Sequence, residues 1–98
     1  MIKWPVGLPI VCIKSFKGVN KIGVPLDYRP PQKDEIFTYD GLGDFDDFYS
    51  CWYIYLKEFS RPKRFNASHF RPVQDVLKEY TEQLVKELEE EIEVEVHI

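Results

Sequence analysis

Apolar and polar positions change their rhythm several times along this chain, and each change marks an element. Leu8 to Phe16 is a nearly continuous apolar run centred on Ile10, Val11, Cys12 and Ile13. That pattern predicts a strand buried on both faces. Lys17 to Asp34 holds Gly18, Gly23, Pro25, Pro30 and Pro31, so it reads as a long connection with extended backbone at its prolines. Glu35 to Tyr39 is a short strand rich in Ile, Phe, Thr and Tyr. Asp40-Gly41-Leu42-Gly43-Asp44 carries a turn signal, and Phe45 to Tyr49 prolongs the loop. Ser50 to Phe59 is the clearest strand. Alternation sends Trp52, Ile54 and Leu56 to one face and Cys51, Tyr53, Tyr55 and Lys57 to the other. Ser60 to Lys63 reads as a turn, Arg64 to Ala67 as a short strand, and Ser68-His69-Phe70 as a tight helical turn.

After Pro72 the period lengthens. Val73, Val76, Leu77, Tyr80, Leu84, Val85, Leu88 and Ile92 recur every three or four residues, which predicts an amphipathic helix over 73–91. Asp75 suits its first turn, whereas Glu89, Glu90 and Glu91 oppose the helix dipole at its end. From Ile92 the pattern alternates through Val94, Val96 and Ile98, the signature of a short terminal strand. Leaving the helix stripe in water is unfavourable, because each buried large side chain gains about 1.5–3 kcal/mol. The expectation is therefore a helix roofing its own domain. A dimer seam is the other reading.

The chain's 98 residues suit one domain, and 44% apolar content supplies a core. The expected division is a β-domain over 1–72, with helix and β-like tail over 73–98 packed on it. A net charge of −4 disfavours nucleic-acid binding by overall charge. No apolar run is long enough to span a bilayer. The opening residues, broken by Pro5 and Pro9, do not read as a secretory signal. Cys12 and Cys51 read as reduced, packed thiols, which places the chain in a cytoplasm.

Three stretches carry a resemblance. Ile10-Val11-Cys12-Ile13 opens it, Lys33-Asp34-Glu35-Ile36-Phe37-Thr38 follows, and Tyr55-Leu56-Lys57-Glu58-Phe59 leads to Phe65-Asn66-Ala67-Ser68-His69-Phe70-Arg71-Pro72-Val73. Over roughly Leu8 to Val73 the chain resembles small Src homology 3-like barrel proteins from phage and prophage genomes of Bacteroidetes-type bacteria. The resemblance implies a small antiparallel barrel of about five strands; with the C-terminal helix and the short terminal strand read from periodicity, the expected class is α+β. The resemblance also implies a bacterial host cytoplasm and no catalytic residues.

Two surfaces are candidate sites. Lys57, Arg61, Lys63 and Arg64 flank Tyr53 and Tyr55 on the outward face of the main strand. Aromatics interleaved with cations can stack bases and hold phosphates. The plainer reading has the arginines balancing the chain's glutamates. Asp40, Asp44, Asp46 and Asp47 form an acidic loop whose spacing lacks the calcium-loop pattern, so a solvated turn is the plainer reading there. No Cys-x-x-Cys pair and no glycine-flanked nucleophile elbow exist. The expectation is a chain without catalytic function, cofactor or metal. Its expected role is a protein-interaction module of a phage or mobile element, in a sharper form an inhibitor of a bacterial defence nuclease. The alternatives are a nucleic-acid-binding barrel and a structural homodimer.

Overall fold

The structure, a computed structural model, describes residues 2–20 and 22–96, and of residues 91–96 the backbone alone. Five strands form one antiparallel sheet: β1 (Pro9–Cys12), β2 (Ile36–Asp46), β3 (Cys51–Leu56), β4 (Phe65–Asn66) and β5 (Phe70–Pro72). A 3-10 turn, Ala67–His69, separates β4 from β5, and the helix α1 (Val73–Val96) closes the described residues. The strand order is β4-β3-β2-β1-β5. The α+β class holds, with the expected number of strands. The sheet is open, however, and the expected closed barrel is not formed. Its two outer strands have two and three residues, too few to pair around a closing seam.

The alternation in β3 sets the core. Ile54 and Leu56 are fully buried, while Tyr53 and Tyr55 on the opposite side stay half-exposed. Ile10, Cys12, Tyr39, Phe65, Ala67 and Phe70 complete the buried cluster. Ile2, Trp4 and Leu8 pack on it from the N-terminal segment, and Phe16 and Tyr28 from the long connection. That connection is anchored, not loose. Phe16 N–H donates to the Pro31 carbonyl at 3.1 Å, and Pro30 and Pro31 are themselves buried.

Residues 40–44 depart from the expected turn: they lie inside β2, which runs on to Asp46. Tyr39 faces Leu56, Leu42 faces Ile54 and Phe45 faces Trp52, with a register shift in each interval. Each interval spans three residues of β2 against two of β3, the signature of two successive bulges. The chain reverses at residues 47–50 instead, where Asp46 Oδ1 accepts from the Phe48 and Tyr49 N–H groups at 2.9 and 3.0 Å.

The helix also departs from expectation. It is not a roof. It touches β5 and β1 near its start, where Val73 and Val76 are half-buried and the Arg71 guanidinium forks onto the Glu79 carboxylate at 2.5 and 3.1 Å. From Leu77 through Glu90 every residue is exposed. The chain measures 62 × 29 × 25 Å, with a radius of gyration of 18.3 Å. A compact chain of this length would have about 13 Å. The apolar sheet face that a roof would cover is already filled by the N-terminal segment and by Phe16 and Tyr28. The expected terminal strand is helical through Val96; His97 and Ile98 lie outside the described residues. An alternating segment gains stability only by pairing, whereas propagating an existing helix adds one hydrogen bond per residue.

One half-buried contact is expected to make stability depend on pH. His69 stacks on Phe16 with ring centroids 4.1 Å apart, and its Nδ1 meets the Lys14 carbonyl at 2.9 Å. Burial, reinforced by the nearby Lys14 charge, pushes its pKa below the ordinary 6.5, against the opposing effect of the Lys14 hydrogen bond. The folded chain thus favours neutral imidazole, and the unfolded chain takes up the proton first. Stability is fully present above about pH 6.5 and falls as pH drops towards the folded value. Glu35 and Glu79 are held below 4.5 by Arg29 and Arg71, so their contribution is lost only at lower pH. Urea midpoints measured from pH 7.5 to 5 are expected to fall, and His69→Gln to flatten that window. An unchanged slope in the variant would assign the dependence elsewhere.

Candidate functional site

The two surfaces proposed from sequence meet on one face of the sheet. The bulges keep Tyr39, Leu42 and Phe45 on the core side with Leu56, Ile54 and Trp52. The residues between them, Asp40, Gly41, Gly43 and Asp44, are left on the side of Tyr53 and Tyr55. Arg61 and Arg64, from the turn after β3, fold back across that side. The Arg61 Cζ lies 3.9 Å from the Tyr55 ring centroid and the Arg64 Cζ 4.6 Å from that of Tyr53. Each guanidinium is then met by β2. Arg61 Nη2 donates to the Asp40 carbonyl oxygen at 2.8 Å and stands 3.7 Å from its carboxylate. Arg64 Nη1 stands 3.4 Å from Asp44 Oδ2. The Tyr53 hydroxyl donates to Asp46 Oδ2 at 2.7 Å. That hydrogen bond, with burial second, raises the Tyr53 pKa far above its usual 10.

The glycines make this approach possible. Gly41 has φ +126°, and a Cβ there would stand 3.3 Å from Arg61 Nη2. A Cβ on Gly43 would stand 3.2 Å from the Tyr53 carbonyl oxygen. A side chain at either position would press on the Arg-Tyr stacks or on the strand beneath them.

Not every predicted site residue joins. Lys63 lies 5.2 Å from the Tyr28 ring centroid and touches Ser60, so it belongs to a different contact. Lys57 is exposed just past the end of β3, and Asp47 is exposed in the reversal. The acidic stretch is therefore not a separate loop site, because Asp40, Asp44 and Asp46 serve the arginines and Tyr53. Among the described residues no group of three His, Cys, Asp or Glu side chains could hold a metal ion. Cys12 and Cys51 are free thiols. Burial raises the pKa of Cys12, whose Sγ–H donates to the Lys14 carbonyl at 3.2 Å.

The energetics of the Arg-Tyr face are modest. Exposed ion pairs contribute about 0–1 kcal/mol and exposed cation–π contacts about 0.5–1 kcal/mol. What they fix is orientation: two long side chains that would otherwise sweep through solvent are held flat over two rings. Away from this face, an open groove of about 380 Å³ lined by Ile2, Trp4, Tyr49, Trp52, Asn66 and Ser68 among others contains none of the predicted binding residues. Sequence reasoning missed it because Ile2 and Trp4 lie outside any predicted element. Among the described residues, no helix is long and apolar enough to cross a membrane. No family model, curated protein or solved structure matches the chain.

Proposed function

We propose that the chain is a non-enzymatic protein-interaction module whose contact face is Tyr53, Tyr55, Arg61 and Arg64. The observation that carries this reading is the pair of guanidinium-over-ring stacks, each held by β2. Tyrosine and arginine dominate the energetics of protein interfaces. Holding their rotamers before the partner arrives lowers the ordering cost of binding. Half-exposed rings with polar rims suit a partner that presents both apolar surface and acceptors.

The same geometry weakens the nucleic-acid alternative. Base stacking needs an open ring face, and a guanidinium lies over one face of each tyrosine. Phosphate binding needs cations to spare, and both arginines already meet aspartates. The phage setting and the nuclease-inhibitor role rest on the sequence resemblance. For the latter, the acids of the sheet are largely matched by the chain's own groups.

A displayed library of bacterial and phage open reading frames, selected on the full chain, tests the reading. Enriched ligands are expected to lose at least about tenfold in affinity, or 1.4 kcal/mol, to Tyr55→Ala and to Arg61→Ala. Ligands that ignore both changes would overturn it. So would binding of single-stranded oligonucleotides with a steep salt dependence.

A further inference from the structure

Among the described residues, the apolar stripe of α1 is left exposed. Leu77, Tyr80, Leu84, Val85 and Leu88 are between 40% and 60% exposed. Helical spacing aligns all but Val85 on one side, with Val85 at its margin. The Arg71–Glu79 pair and the half-buried Val73 and Val76 hold the helix at its start, and the stripe lies beyond them.

We infer that a second copy of this chain covers the stripe, with the two helices antiparallel. Charge decides the orientation. Residues 73–98 hold two of the 13 cations and nine of the 17 acids, while residues 1–72 hold the other eleven and eight. The helical end of the chain therefore has a net charge of minus seven, and the sheet domain a net charge of plus three. The acids crowd past the stripe, at Glu89, Glu90, Glu91, Glu93 and Glu95. A parallel pair would set two such segments side by side. An antiparallel pair separates them and sets each beside the cationic domain of the other copy.

Length and area agree with that orientation. At about 1.5 Å per residue, pairing about the middle of the stripe puts Leu77 across from Leu88. The last helical turn of each copy then lies level with the helix root of the other, beside Arg71 on the edge strand β5. The five stripe residues alone fall well short of the roughly 800 Å² per partner of a stable interface. End-to-domain contact at both ends enlarges an antiparallel pair, and a parallel pair lacks it. The arrangement is isologous and closes on itself, so it makes dimers and no filaments. It uses a different surface from the Arg-Tyr face and stands independently of it.

Sedimentation equilibrium on the full chain over a wide concentration range is the test. The mass is expected to rise from 11.7 kDa towards twice that value. Leu84→Glu is expected to hold the chain monomeric with its sheet spectrum unchanged, because Leu84 lies in the exposed stretch of α1. Added salt is expected to weaken the dimer several-fold, since it screens the attraction between helix end and domain. A monomer at every concentration would overturn the inference, as would a dimer indifferent to Leu84→Glu. Tightening with salt would show a parallel seam, and exclusive binding of a cationic amphipathic peptide would assign the stripe to a foreign helix. Either result would refute the arrangement.

Discussion

Phe65→Ala is expected to remove about 3–5 kcal/mol of stability, the usual cost of deleting a buried aromatic ring. Phe65 is the first residue of β4 and only 3% exposed. Its ring meets Phe59, Phe16 and Tyr28 with centroids 4.8, 5.5 and 6.4 Å apart. Those partners come from the turn just after β3 and from both parts of the long connection. The single ring therefore joins the connection to the sheet. β4 is two residues long and holds its place by only two register pairs with β3, at Tyr53 and Ile54. Removing the ring leaves a cavity that the prolines of the connection cannot collapse to fill. Domains of this size have about 5–15 kcal/mol in total, so a large share of the stability is at stake. Urea denaturation gives the comparison, with Phe48→Ala as control. Phe48 is 86% exposed, and its loss is expected to stay within about 0.5 kcal/mol. Equal losses in the two variants would mean that the aromatic cluster is not the core.

Much of this architecture was readable from residue order because β3 follows the simplest rule. Its alternation of large apolar and amphipathic residues assigned both faces, and Ile54, Leu56, Tyr53 and Tyr55 lie as expected. β2 was only half readable. From Tyr39 onward the residues that face β3 recur every third position, at Leu42 and Phe45, and between them stand Asp and Gly. Such spacing matches neither a regular strand nor a helix, and its composition is that of a turn. Only the partner strand makes it interpretable, since two bulges are needed to keep three-residue steps in phase with two-residue steps. The candidate site depended on the same information. Asp40 and Asp44 are about 20 residues from Arg61 and Arg64 in sequence, and no spacing rule joins them. Once β2 pairs with β3 they become neighbours, and two sites become one.

The helix shows the opposite case, a pattern read correctly and assigned to the wrong neighbour. Periodicity reports that a stripe will be buried, but it does not say against what. On periodicity alone, the domain's own apolar face is the nearest surface for the stripe to cover. In the fold, Trp4 packs edge-on against Tyr39 with centroids 5.4 Å apart, and Phe16 and Tyr28 cover the rest. No periodic signal marks these residues, because they sit in segments without regular structure. A lid made from connections left the helix stripe without a surface in its own chain.

Ile54→Ala is expected to remove about 2–5 kcal/mol, while Tyr55→Ala, one residue along, removes about 1 kcal/mol. Ile54 is fully buried and pairs with Leu42 on one side and Phe65 on the other. It stands where the bulged strand, the central strand and the short edge strand are in register. Alanine there deletes three side-chain carbons. The backbone is pinned from both sides, so little relaxation can recover the loss. Tyr55 points the other way, and its main contact is the Arg61 guanidinium, an exposed cation–π contact of about 0.5–1 kcal/mol. The prediction is thus a ratio: adjacent residues on one strand differ severalfold because alternation puts one in the core and the other on the contact face. A thermal shift converts the difference. Each kcal/mol moves the midpoint of a domain this size by about 4–8 °C, so Ile54→Ala is expected to melt at least about 8 °C below wild type, with Tyr55→Ala well above it. Comparable melting points would place the two residues in similar surroundings. The face assignment of β3 would then fail, and with it both the core and the Arg-Tyr surface built on its reverse side.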